Sequence, residues 1–161
     1  LGFIKYCEAN KINFIATKVG DKFVLEEMLL EEYNFGGEQS GHVIFRDFAT
    51  TGDGELTAIQ LLSLVKRSGK KLSELSKVMK KYPQVSINVN VTNDGKVKFY
   101  TNTTVKNSIE DAKEKLGDKG RIVVRPSGTE PKIRVMVECS DEELMNTVAN
   151  DVAETVKKEL A

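Results

Sequence analysis

The sharpest pattern in the chain is strict alternation. Val85, Ile87, Val89 and Val91 are separated by Ser86, Asn88 and Asn90. Residues two apart share one face of an extended strand, so this segment predicts a strand with one face on a core and one polar face. Asn93-Asp94-Gly95 is a hairpin signal, and Val97-Lys98-Phe99-Tyr100 is expected to return as a second strand. A helix is expected over about 105–116, a strand over 121–125, and its partner over 133–139. Leu144, Val148, Val152 and Val156 recur every four residues, the spacing of a helical core stripe. Ser140 with Glu143 has the form of a capping box at that helix's start. The expected order is ββαββα, an α+β domain with helices on one face of an antiparallel sheet.

The first half reads as mixed α/β. Asn13 to Thr17 is a short strand candidate, and Asp21 is placed to cap a helix running to about Glu32, with Val24, Met28 and Leu29 as its apolar face. Gly36-Gly37-Glu38-Gln39-Ser40-Gly41 reads as a loop, because three glycines in six residues disfavour regular structure. His42 to Phe45 resumes as a strand. Thr51-Gly52-Asp53-Gly54 opens a helix whose Leu56, Ile59, Leu61, Leu62, Leu64 and Val65 are apolar almost all round, which predicts burial. A shorter helix is expected from Ser73 to Lys81. Tyr82-Pro83-Gln84 stops it and divides the chain into domains 1–82 and 83–161.

Composition narrows the function classes. Of 161 residues, 40% are hydrophobic and 30% charged, and the formal net charge is zero. A nucleic-acid binder needs an excess of Lys and Arg, so that class is disfavoured, while a local basic site for a small anion is not. No apolar run approaches the length of a membrane span. The start at Leu1 lacks Met and the segments of a signal peptide, so the chain is expected to begin inside a longer protein. Cys7 and Cys139 form no CxxC and sit among apolar residues, which reads as reduced, buried thiols in a cytoplasmic protein.

Two segments carry chemistry. Arg125-Pro126-Ser127-Gly128-Thr129-Glu130-Pro131-Lys132-Ile133-Arg134 joins two expected strands and is stiffened by two prolines. Guanidinium forks, hydroxyls and turn N–H groups converging from a fixed frame are what a phosphate dianion needs. The other reading is a polar surface hairpin with solvated arginines, and the residues alone leave both open. Gly37 to His42 places a carboxylate (Glu38), an amide (Gln39), a hydroxyl (Ser40) and an imidazole (His42) on a tight turn, groups suited to sugar hydroxyls. A glycine-rich turn with a partly buried histidine is the alternative. Ser40 is not a nucleophile elbow, since Glu38 stands where that motif needs Gly. There is no GxxxxGK[ST] or GxGxxG.

Gly37-Glu38-Gln39-Ser40-Gly41-His42 resembles the sugar-binding loop of the α-D-phosphohexomutases, and Arg125-Pro126-Ser127-Gly128-Thr129-Glu130-Pro131 resembles their phosphate-binding loop. Order and separation agree. Gln39, Thr17-Lys18-Val19-Gly20-Asp21 and the Thr51–Gly54 helix start are similar to the family's glucosamine branch, although Lys22 stands where that branch suggests Arg. The resemblance implies the end of the third domain and all of the fourth in a four-domain enzyme. It implies interconversion of glucosamine 6-phosphate and glucosamine 1-phosphate through a phosphoserine and glucosamine 1,6-bisphosphate, feeding UDP-N-acetylglucosamine synthesis. Glu38, Gln39, Ser40 and His42 would face the sugar; Arg125, Ser127, Gly128, Thr129 and Arg134 the phosphate; Gly20 and Asp21 would lie in the cleft. Neither the phosphoserine nor the ligands of the implied Mg2+ are expected in this chain. Asp53 is read as a helix cap and Asp47 as a turn residue. The implied partners are a phosphosugar and the amino-terminal domains of the same protein, with a homodimer left open. A phosphomannomutase/phosphoglucomutase, or a non-catalytic phosphosugar-binding module, are the rival readings.

Overall fold

A computed structural model describes residues 1–161. The chain forms two compact units: Tyr6–Met79, and Lys80–Ala161 together with Leu1–Lys5.

Helix α1 (Gly2–Asn10) begins in the second unit and ends in the first. The first unit continues with α2 (Asp21–Leu30), β1 (Phe35–Gly37), β2 (Val43–Phe45), α3 (Gly54–Ser68) and α4 (Leu72–Leu75). Strands β1 and β2 pair antiparallel, with Gly36 opposite Ile44. Val24, Met28 and Ile44 form a small buried core, with Leu25 and Tyr33 packed on it. The glycine pair expected in a loop therefore lies in a strand. A Cβ at Gly36 would come within 2.4 Å of Met28 Sδ and 2.8 Å of Val24 Cγ1, so any other residue there would require those α2 side chains to shift.

Other expectations for this unit are corrected. Residues 13–17 form no strand. Asp21 is not the cap of α2; Gly20 precedes the helix with φ 132° and Asp21 is its first residue, where a carboxylate still suits the helix dipole. Helix α3 starts as expected, with the Asp53 side chain accepting from the Leu56 N–H at 2.9 Å. Yet α3 has no buried residue, and Ile59 and Leu62 are 64% and 66% exposed. The strand beside it, β2, is only three residues long and covers little of it. The helix expected over 73–81 is reduced to α4.

The second unit contains β3 (Gln84–Asn90), α5 (Asn93–Lys98), α6 (Thr103–Leu116), β4 (Gly120–Pro126), β5 (Lys132–Cys139) and α7 (Glu142–Leu160). Its sheet has the order β3-β5-β4, antiparallel throughout. Val89, Ile122, Ile133, Val135 and Val137 are buried on one face, together with Val105 and Leu116 of α6 and Val148, Val152 and Val156 of α7. The expected α+β class and helix-covered antiparallel sheet are present, with one strand fewer. Asn93-Asp94-Gly95 is the first turn of α5, capped by Thr92 Oγ1, which accepts from the Gly95 N–H at 2.9 Å. Gly95 serves packing: a Cβ there would lie 2.1 Å from the Leu160 carbonyl oxygen. The order is therefore βααββα. The cap of α7 is Asp141, accepting from the Leu144 N–H at 3.0 Å, not Ser140.

On the opposite face, buried Glu138 pairs with Arg121 and accepts from the Leu1 amino group at 2.8 Å. Cys7 and Cys139 are both buried and free.

Candidate functional site

The first candidate loop is a closed turn. The Glu38 N–H donates to the His42 carbonyl at 2.8 Å, and the Gly41 N–H to the Glu38 carbonyl at 3.0 Å. Gly41 has φ 93°, a left-handed conformation that disfavours a side chain. Gln39 and Ser40 sit exposed at the tip. Glu38 Oε1 accepts from the Gly20 N–H at 2.8 Å, so one oxygen of the carboxylate is committed to the start of α2. His42 Nε2 accepts from the Gly52 N–H at 3.1 Å, which fixes the neutral ring as the Nδ1–H tautomer. Asp21 Oδ2 lies 3.5 Å from the same nitrogen. Glu38, His42, Gly20 and Asp21 are thereby brought together at one end of α2.

The second candidate loop is the hairpin between β4 and β5. The Ser127 N–H donates to the Lys132 carbonyl at 2.8 Å, and Ser127 Oγ accepts from the Glu130 N–H at 3.3 Å. Ser127 is only 3% exposed, so its hydroxyl shapes the turn, whereas Gly128 and Thr129 lie on the surface. Arg125 and Arg134 are directly opposite each other in the ladder. Glu130 sits among cations: its carboxylate is 2.8 Å from Lys132 Nζ and 3.1 Å from Arg134 Nη2, and its carbonyl accepts from Lys96 Nζ at 3.1 Å. Hydrogen bonds from Lys132 and Arg134, with their charges, hold the Glu130 carboxyl below the usual carboxylate range.

A sequence model described as phosphoglucomutase/phosphomannomutase, alpha/beta/alpha domain III, matches residues 1–82, and one for the family's C-terminal domain matches residues 65–155. The chain belongs to the phosphoglucomutase/phosphomannomutase family. Similar proteins include the phosphoglucosamine mutases of Shouchella clausii, 51% identical over 160 residues, and Clostridium tetani, 48% identical over 158 residues. These alignments cover 99% and 98% of this chain but only 35% of each relative, so the chain spans little more than a third of their length. Among solved structures, an Aspergillus fumigatus N-acetylphosphoglucosamine mutase in complex with GlcNAc-6P and magnesium superposes with a TM-score of 0.81 at 17% identity, covering 99% of this chain and 37% of that one. An N-acetylglucosamine-phosphate mutase in a substrate complex gives 0.76 at 22%, covering 97% and 36%. At such identities the likeness is one of fold.

Within this family frame, the Glu38–His42 turn falls in the part matched to domain III and the Arg125–Arg134 hairpin in the part matched to the C-terminal domain. Lys96, Glu130 and Lys132 join the hairpin cluster but were not singled out from the sequence. Lys96 was hidden by the hairpin reading of Asn93-Asp94-Gly95. The i, i+2, i+4 spacing of Glu130 in the turn and Lys132 and Arg134 at the start of β5 was the available signal for the other two. No group of three or more His, Cys, Asp or Glu side chains is placed to hold a metal ion. No helix is long and apolar enough to cross a membrane.

Proposed function

We propose that this chain is the sugar- and phosphate-binding portion of a phosphoglucosamine mutase, the whole protein interconverting glucosamine 6-phosphate and glucosamine 1-phosphate. The observation that carries the reading is the convergence of Lys96, Lys132 and Arg134 on Glu130, with Arg125 opposite Arg134. A chain of zero net charge gathers Lys132 and Arg134 on the Glu130 carboxylate and Lys96 on its carbonyl, with Arg125 beside them in the ladder. Arginines directly opposite each other repel unless an anion lies nearby. A phosphate dianion supplies it, held by the Arg125 and Arg134 forks and by the exposed backbone and hydroxyl of Gly128 and Thr129.

The Glu38–His42 turn takes the sugar in this reading. Glu38 keeps one carboxylate oxygen for a ring hydroxyl, its other being engaged by Gly20. Ser40 and Gln39 present their polar groups at the tip. His42 lines the turn with Nε2 accepting from the Gly52 N–H and is not assigned as a general base. Asp21 and Gly20 support it. Grip on the non-reacting phosphate would let binding energy position the reacting end, in either orientation of the sugar. The phosphoryl carrier (a phosphoserine), the 1,6-bisphosphate it would generate, Mg2+, a cytoplasmic setting and supply of UDP-N-acetylglucosamine are the wider parts of this proposal. No residue of this chain is given the phosphoryl-transfer step, and the chain alone is expected to bind without turnover.

Isothermal titration with glucosamine 6-phosphate tests the reading. Arg125→Ala removes a charge-assisted contact and should cost about 1.5–3 kcal/mol, a weakening of roughly 10- to 150-fold. Unchanged affinity would sink it. Relative turnover of glucosamine, mannose and glucose phosphates by the whole protein separates the glucosamine reading from its relatives.

A further inference from the structure

We infer that Glu130 is a positioning residue of the anion site, holding Arg134 and Lys132 in place before the ligand arrives. The inference rests on the reading of the Arg125–Arg134 hairpin as a phosphate site. Glu130 is fixed from several sides. Its N–H donates to Ser127 Oγ at 3.3 Å, and its carbonyl accepts from the Lys132 N–H at 2.8 Å and from Lys96 Nζ at 3.1 Å. Pro131 follows, and its carbonyl accepts from the Val91 N–H at 3.0 Å, tying the hairpin to the end of β3. From this held backbone the two carboxylate oxygens reach different cations: Oε1 to Lys132 Nζ and Oε2 to Arg134 Nη2.

Two opposite consequences are conceivable for a carboxylate so placed. It is either a stand-in anion that the phosphate must displace, or a brace that sets the cations. The geometry favours the brace. Glu130 takes Arg134 through one terminal amino group, and a guanidinium has five N–H donors in a fixed fork, so donors remain for a ligand. The carboxylate charge is shared between two cations and is 42% exposed, so its repulsion of an incoming anion is screened by water and salt. Without it, Arg134 would face Arg125 across the ladder and swing into solvent. Ordering such long side chains at the moment of binding weakens affinity by roughly fivefold for each.

The test is isothermal titration of the 161-residue chain with inorganic phosphate at physiological salt. Glu130→Ala should weaken binding by about five- to tenfold. Glu130→Gln, which keeps an acceptor oxygen, should weaken it less. In ligand-free protein, the Nε–H NMR resonance of Arg134 should move towards the free-arginine position in Glu130→Ala, with the unfolding midpoint unchanged. A merely structural role would move the midpoint and leave the resonance alone. Binding as tight as wild type or tighter in either variant overturns the brace, and so does an unmoved resonance. Arg125→Ala in the same titration separates the claims. If it leaves phosphate binding intact, the anion site itself falls; if it weakens binding while Glu130→Ala does not, only the positioning role falls.

Discussion

Gly52→Ala should change sign with its background. Gly52 lies against the His42 ring: a Cβ there would stand 2.5 Å from Cε1 and Nε2 and 2.6 Å from Cδ2. The ring is rigid, so His42 has to swing away. That breaks the 3.1 Å bond from the Gly52 N–H to Nε2, worth about 1 kcal/mol, and an off-rotamer side chain costs about 1 kcal/mol more. Against this, Gly52 is not among the glycines with positive φ. Alanine is therefore allowed by the backbone and stabilises by about 0.4–1 kcal/mol through the unfolded chain. The net for Gly52→Ala is a loss of about 1 kcal/mol. In a His42→Ala background the collision is gone, and the same substitution should gain about 0.5 kcal/mol. The four proteins of this double-mutant cycle are compared by urea unfolding, read through amide exchange in β2 so that the first unit is followed by itself. The same sign in both backgrounds would refute the placement of His42 over Gly52, and with it the order assigned to the Glu38–His42 turn.

Two further outcomes are expected. Asp53→Ala removes the acceptor for the Leu56 N–H and should destabilise the first unit by about 1 kcal/mol, with Asp53→Asn nearly neutral, as measured by urea midpoints. In the 161-residue chain, burial pushes the Glu138 carboxyl up, but hydrogen bonds from the Leu1 amino group and Arg121, with the charges of both, outweigh it and leave it below the usual range. A lowered folded value means that this stabilisation is complete above the ordinary glutamate value and is lost as the pH falls through the lowered one. Acid unfolding curves of Glu138→Gln should lack that loss, and a wild-type acid limb that matches the variant's would contradict the assignment.

Much of the second unit was legible because its periodicities are long. The alternation at 85–91, the run at 121–125 and the four-residue stripe of α7 each repeat enough to name their element and its buried face. The errors arose where a short signal has two uses. Asn93-Asp94-Gly95 suits a hairpin and equally the first turn of a capped helix. What decides is the Leu160 carbonyl pressed against Gly95, a contact between residues far apart in sequence. Gly36 was read as loop because glycine usually relieves backbone strain, whereas here it relieves crowding against Met28 and Val24. The apolar circumference of α3 predicted burial, but burial also requires a neighbour, and β2 supplies only three residues. Both candidate loops were visible in the sequence because their polar groups are dense and local. Lys96 was not, since its approach to the Glu130 carbonyl spans 34 residues.

The two loops differ in what keeps them in place, and this bears on how each would fail. The arginine hairpin grows from strands whose inward residues Ile133, Val135 and Val137 are fully buried. A guanidinium pair needs such a base, because charge-assisted bonds are directional and a small rotation of the strand would misaim both forks. The Glu38–His42 turn stands on two three-residue strands over a core of Val24, Met28 and Ile44. It is held mainly by backbone N–H groups, those of Gly20 on Glu38 and Gly52 on His42. Sugar hydroxyls both donate and accept, so they tolerate small shifts of their partners better than a dianion does. Conservative core changes near the hairpin should therefore be felt in phosphate affinity through geometry. Around the Glu38–His42 turn, the sensitive positions are the glycines whose amides and bare Cα atoms receive the Glu38 and His42 side chains.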